Sequence, residues 1–334
     1  MADRKFRGRA GLVIAALAVL AAAALWLDVN AGWRAISLAE LGQVLAGTAP
    51  QSLVYTLVEL RLPRVLTAML VGVALSLAGC LLQGVSRNDM ADPGILGINA
   101  GAGLLVAAFI VFVPAGLIPS VVALPLLAFA GSLSVALAGW RLSRVRGSAS
   151  PRRLLLVGVA LSMGLSSATS LLMLRMGDGD YAFVQSWLAG SIWGATWQNV
   201  ALLAAGLAVL IALALYAART LNVLALGEAA AAGLGVNVPR AQGALLACAV
   251  AASGLACAVG GGLTFVGLVC PHMARRLVGP NFRVLVPATV LVGAVLMLAA
   301  DIVSRTLLLP NEIPVGIVAA VIGAPYFLYL LARS

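Results

Sequence analysis

Charge is scarce along this chain. Of 334 residues, 10% are charged, only 11 are Asp or Glu, and histidine occurs once, as His272. Paired carboxylates, a His/Cys cluster and a serine motif with partners at usable spacing are all missing, which excludes the usual enzyme constellations. Gly97, Gly101 and Gly103 are not followed by the Lys-Ser/Thr pair of a phosphate loop, so the chain carries no nucleotide-hydrolysing loop of its own. Gly97 and Gly101 read instead as a GxxxG helix-packing pair. The four cysteines, Cys80, Cys248, Cys257 and Cys270, sit in apolar stretches without CxxC spacing. That pattern supports packing rather than a disulfide framework or a metal site. A proton-coupled pump needs several ionisable groups across its core. Here only Asp301 falls well inside an apolar run, with Arg305 following at i+4 as a local partner.

What the chain has is apolar length. Hydrophobic residues make up 63% and the mean hydropathy is +1.09, outside the range of a soluble domain. The net charge of +10 does not point to nucleic acid, because the arginines fall between apolar runs instead of forming one basic face. The pattern predicts an all-α, polytopic membrane protein forming a single domain over 1–334. Requiring about 20 apolar residues per helix gives ten candidate spans, at residues 11–27, 64–86, 95–113, 121–140, 153–174, 198–218, 241–259, 263–278, 284–308 and 313–332. The eighth follows Gly260, Gly261 and Gly262 and is short, which predicts a broken or re-entrant element.

With the N-terminus inside, 16 of the 21 basic residues lie on the cytoplasmic side, among them Arg4, Lys5, Arg7, Arg9, Arg87, Arg146, Arg275, Arg276 and Arg333. Only Arg34, Arg61, Arg64, Arg175 and Arg305 lie outside. This bias places both termini in the cytoplasm. Trp26, Trp33, Trp187, Trp193 and Trp197 cluster toward the outer surface, where indoles favour the interface. The basic start and alanine-rich first run also resemble a signal peptide, but no clear cleavage site follows before Asp28 and Asn30. Residues 28–62 then form an extracytoplasmic loop, within which Ser37 and Glu40 can cap a short helix. Counting 1.5 Å per residue from Arg283 puts Asp301 roughly 27 Å along the ninth span, near its outer boundary.

Three stretches are more specific than generic membrane sequence. The first is Arg61-Leu62-Pro63-Arg64 leading to Gly72, Gly79 and Gln83, then Asn88-Asp89-Met90-Ala91-Asp92-Pro93-Gly94. The second is Ala225-Leu226-Gly227-Glu228-Ala229 to Gly233-Leu234-Gly235, in a cytoplasmic loop over 222–240. The third is Val269-Cys270-Pro271-His272-Met273-Ala274-Arg275, with Asp301 to Arg305 and Pro314-Val315-Gly316 beyond it. Together they resemble the FecCD-like permeases of bacterial importers for ferric siderophores, haem and cobalamin, from about residue 60 to the C-terminus.

The resemblance implies the type II ABC importer permease fold in the bacterial cytoplasmic membrane. It implies a second permease subunit (another copy or a paralogue), two ATPase subunits that use ATP and Mg, and an extracytoplasmic binding protein; this chain holds no cofactor of its own. Leu226, Gly227, Glu228, Gly233, Leu234 and Gly235 match the ATPase-coupling segment, where Glu228 also suits a helix N-terminus and Gly233 or Gly235 can end the helix. Arg61, Arg64 and Arg305 match residues that receive acidic groups of the binding protein. Asn88 and Met90 match the cytoplasmic gate, to which the start of the fifth span, Pro151 and Arg152, also belongs. Gly158, Ser162, Ser166 and Ser170 give that span one small, weakly polar face, for packing or for the pathway. His272 reads as a structural hydrogen-bonding residue. The segment from Trp187 to Gly194 resembles the siderophore branch, which favours a ferric siderophore as cargo over haem or cobalamin. An ATP-independent secondary transporter is the reading from another class, and the sparse intramembrane charge disfavours it.

Overall fold

The computed structural model describes residues 2–31, 37–114, 116–145, 148–149, 151–192, 194–308 and 311–332. Trp33, Arg34, Arg146, Trp193 and Arg333 lie outside the described residues, as do the side chains of Arg4, Lys5, Arg7, Pro151 and Arg152. In chain order the helices are α1 (Ala2–Asn30), α2 (Leu38–Leu45), α3 (Gln51–Val54), α4 (Leu62–Ser86), α5 (Ile98–Phe112), α6 (Ser120–Leu142), α7 (Pro151–Met173), α8 (Asp178–Leu188), α9 (Trp197–Leu224), α10 (Glu228–Gly233), α11 (Val238–Gly260), α12 (Val266–Val278), α13 (Phe282–Thr306) and α14 (Val315–Leu331). Between α6 and α7, a two-residue ladder pairs β1 (Arg144–Val145) with β2 (Ser148–Ala149).

Each of the ten expected spans is helical, but not all are long enough to cross alone. Seven helical stretches are both apolar and at least 18 residues long, while α5 and α14 are apolar but have 15 and 17 residues. At 13 residues α12 reaches only about 20 Å, short of the roughly 30 Å hydrocarbon core. It also begins at Val266, not at 263, because the chain leaves the helical region at Gly261 (φ +70°) and at Phe265 (φ +67°). At this break the Gly262 N–H donates to the Trp187 carbonyl at 3.1 Å, and a Cβ on Gly261 would lie 2.2 Å from that oxygen. Trp187 is therefore buried against the break and not at a lipid interface, which corrects its place in the expected outer belt.

The expected loop over 28–62 is mostly helical. α1 continues to Asn30, and Ser37 and Glu40 form the reciprocal capping box that starts α2. From Gln51 the chain is helical without interruption to Ser86, with a π-helical stretch over Tyr55–Arg61. Pro63 explains that stretch. It has no N–H for a carbonyl in the preceding turn, and its ring crowds that turn, so the helix widens and the Leu62 N–H closes on Leu57 five residues back. The Val58 carbonyl, which a residue with an N–H at position 63 would satisfy in the π register, accepts instead from Trp197 Nε1 at 3.0 Å.

α4 is the centre of the bundle. Most of its residues are buried, and it packs on α13, α11, α12 and α9, whereas α1 and α7 are largely exposed. Gly72, Gly79 and Gln83 recur at spacings of 7 and 4, which places them on one face of the helix. A Cβ on Gly79 would lie 1.8 Å from the Gly267 carbonyl of α12. Pro271 cannot donate to that carbonyl from within α12, and Gln83 Nε2 lies 3.5 Å from it and 3.2 Å from the Leu268 oxygen. The motif glycine brings the helices together, and the motif glutamine supplies the donor that Pro271 withholds. In α5, Gly101 meets Gly131 of α6, and Gly97, the left-handed residue that precedes the helix, packs on Val135 of α6 and on Gly158 and Ser162 of α7.

Candidate functional site at the two ends of the bundle

At the end of the bundle away from Arg87 and Arg275, five charged side chains meet. Arg305 pairs with Asp28 at the end of α1 and lies 3.1 Å from Asp301 one turn earlier on its own helix. Arg64, at the start of α4, reaches Asp301 at 3.0 Å and Glu312, before α14, at 2.8 Å. Asp28 and Asp301 are fully buried, and two arginines serve three carboxylates. Arg305 also donates to the backbone oxygens of Asp28 at 2.8 Å and Ala31 at 3.2 Å. The expected Asp301–Arg305 pair is present, as one edge of a network tying α1, α4, α13 and the approach to α14 together.

This network corrects one expectation. Arg305 is 7% exposed and held by carboxylates and carbonyls of its own chain, so it is an interior residue and not a surface one for a partner to reach. Arg64 is 15% exposed at its side chain, and its partner Glu312 is 41% exposed. Arg61 is half-buried, and its Nη1 donates to the Val29 carbonyl at 2.9 Å. A small cleft of about 140 Å³ opens beside the pair, lined by Arg64, Ser186, Ser191, Ser304 and Glu312. The sequence reading left Asp28 as a span boundary and did not single out Glu312. Their signal was rarity, since each is one of only 11 acids.

At the arginine-rich end, α10 stands between Leu226 and Leu234, which are 68% and 65% exposed. Glu228 opens the helix, accepts from Gln242 Nε2 of α11 at 3.1 Å and pairs at 3.3 Å with Arg87, the left-handed residue closing α4. Both partners are about half exposed, so the pair contributes at most about 1 kcal/mol and serves to register the turn. Gly235, not Gly233, ends the helix. Val236 N–H bonds to Ala231 O and Gly235 N–H to Ala232 O, a Schellman closure that needs φ +84° at Gly235.

Beside α10, the turn after α4 is built from its own side chains. Asn88 Oδ1 accepts from the Met90 N–H at 2.9 Å, Asp92 Oδ2 accepts from the Gly94 N–H at 2.9 Å, and Asp89 pairs with Arg275 of α12. Met90 is 37% exposed. Burial pushes the Asp92 carboxyl from 3.8 up to about 6, against the opposing pull of the Gly94 N–H. A carboxylate with a raised folded pKa favours the fold while protonated, and that advantage is lost as pH rises through about 6. That difference corresponds to roughly 3 kcal/mol. Unfolding measured from pH 4 to 7 is expected to show this decline in the native chain, and Asp92→Asn is expected to flatten it.

α7 begins at Pro151, and its serines divide between two environments. Ser162 donates to the Gly158 carbonyl at 2.8 Å and sits beside Gly97, while Ser166 and Ser170 are exposed with Leu156, Met163, Leu171 and Leu174 on the open face. His272 Nε2 accepts from Arg276 Nε at 3.1 Å, and its ring meets Tyr326 edge-on at 6.1 Å. These contacts are of the hydrogen-bonding and packing kind expected of His272.

The model of the FecCD transport family matches residues 17–333. This chain belongs to the FecCD transport family. It is 39% identical over 329 residues to the iron(3+)-hydroxamate import system permease protein FhuG of Bacillus subtilis, covering 97% of each chain. It is 42% identical over 280 residues to the Fe(3+) dicitrate transport system permease protein FecD of Escherichia coli, covering 84% of this chain and 86% of the relative. Among solved structures, a metal-chelate type ABC transporter in an inward-facing conformation superposes with a TM-score of 0.85 at 28% identity, over 97% of this chain and 100% of that one. As a FecCD member, the chain is a multi-pass permease.

Proposed function

We propose that this FecCD permease is the membrane-spanning subunit of an ATP-driven importer that carries a ferric siderophore into the cytoplasm. The observation that carries the reading is the match along nearly the whole chain to permeases named for iron-hydroxamate and ferric-dicitrate transport. The arginine-rich end faces the cytoplasm, both termini lie there, and the charge cluster faces outward in the cytoplasmic (inner) membrane. Leu226 and Leu234 dock α10 on an ATPase subunit that binds ATP and Mg. Because Glu228 joins α10 to both α4 and α11, a displacement of that subunit moves the central helix and its neighbour together.

A second permease subunit packs against the open face of α7, where Ser166 and Ser170 border the pathway and Asn88, Met90, Pro151 and Arg152 stand at its cytoplasmic mouth. The extracytoplasmic binding protein presents carboxylates to Arg61 and Arg64, with Glu312 giving way on Arg64. Such pairs orient docking more than they add affinity.

Proteoliposomes holding the permease, its ATPase and its binding protein are expected to take up a radiolabelled ferric hydroxamate only with ATP inside the ATPase compartment, and excess haem is expected not to compete. Arg61→Glu is expected to slow uptake at least tenfold while the ATPase still co-purifies. Equal uptake by the permease without the ATPase would overturn the importer reading, and undiminished uptake by Arg61→Glu the docking role.

A further inference from the structure

A second basic feature lies apart from α10. A cavity of about 150 Å³ opens between α1 and the end of α12, lined by Arg9, Arg275, Arg276, Leu277 and Gly279. Asp89 balances Arg275, but among the described residues no carboxylate is within ion-pair distance of Arg9 or Arg276. Arg275 Nε and Nη2 are buried without a hydrogen-bond partner, a costly arrangement for cationic donors. Two arginines in the last turn of α12 offset the negative end of that helix. That accounts for neither the unpartnered donors nor Arg9, which arrives from another helix.

The cavity wall is apolar as well as cationic. Leu277 is 44% exposed, and Leu12, at i+3 from Arg9 and so on the same face of α1, is 74% exposed. From Arg9 on, α1 is hardly buried in the fold, and the sequence of its first turns adds Arg4, Lys5 and Arg7. Cationic pockets between helix ends at an anionic leaflet bind phospholipid headgroups.

We infer that this cavity holds the phosphate of an acidic phospholipid, with Arg9, Arg275 and Arg276 around the headgroup and the acyl chains along Leu277 and Leu12. The site fastens the start of α1 to the end of α12 through a lipid.

The test titrates the purified full-length chain, delipidated in detergent, with phosphatidylglycerol, phosphatidylcholine or inorganic phosphate, reading bound lipid by native mass spectrometry. Phosphatidylglycerol is expected to bind at least tenfold more tightly than phosphatidylcholine. Arg9→Gln with Arg276→Gln is expected to abolish that preference, and Arg9→Lys with Arg276→Lys to keep it within threefold, which separates lost charge from lost fold. Equal binding of the two lipids, or an undiminished preference in the glutamine variant, would overturn the site. Displacement of phosphatidylglycerol by millimolar phosphate would assign the cavity to a free anion and overturn the lipid assignment.

Discussion

Arg305→Met is expected to destabilise the folded chain by about 3–5 kcal/mol, the cost of leaving a buried charge without its partner. Asp28 is fully buried, and among the described residues Arg305 is the one cation paired with it, whereas Asp301 keeps Arg64. The two arginines are therefore not equivalent, and Arg64→Met is expected to cost less because Arg305 still faces Asp301. Adding Asp28→Asn to Arg305→Met removes the orphaned carboxylate and is expected to restore most of the loss. Thermal unfolding of the three variants in lipid nanodiscs measures this. An Arg305→Met midpoint equal to that of the native chain would show that the buried pair contributes nothing.

Leu226→Asp with Leu234→Asp is expected to reduce ATPase co-purification at least tenfold and to abolish ATP-driven uptake. The fold is expected to be untouched, because both side chains are about two-thirds exposed and lie outside the helix they flank. Charged groups at the centre of a docking patch are left without partners once water is excluded, and two such groups exceed what the surrounding contacts supply. Glu228→Gln is the informative contrast. It weakens an exposed pair worth at most about 1 kcal/mol but keeps the bond from Gln242, so co-purification should survive. Affinity-tagged permease and quantification of the retained ATPase read both variants. Full retention by the double aspartate variant would remove α10 from the interface.

Much of this arrangement was legible in the sequence, wherever a local rule sufficed. Apolar length located a helix in each of the ten expected stretches, the Ser37–Glu40 spacing gave the capping box, and the three glycines at 260–262 announced a break. Asp301 and Arg305 could be paired because i,i+4 neighbours on a helix face each other. The long-range pairs were not legible. Asp28 meets Arg305 across 277 residues, and Arg64 meets Glu312 across 248, separations over which no periodicity carries information. Arg305 therefore looked like an exception to the positive-inside trend with a surface task, when its long-range partner was a carboxylate near the other end of the chain. The helical course from Gln51 was hidden for another reason. Pro63 suggests an interruption, and the helix passes it by widening instead of stopping.

The partnership of Asp28 with Arg305 has a consequence for how the protein is made. Translation at about 5–20 residues per second separates the two by roughly 15–55 s, because 277 residues must be added after the aspartate before its arginine exists. For that interval the carboxylate of the first helix lacks the arginine that pairs with it in the folded chain, so the pair can close only after nearly all of the chain has emerged. A nascent chain that stops short of residue 305 thus lacks the arginine that pairs with the acid of its first helix.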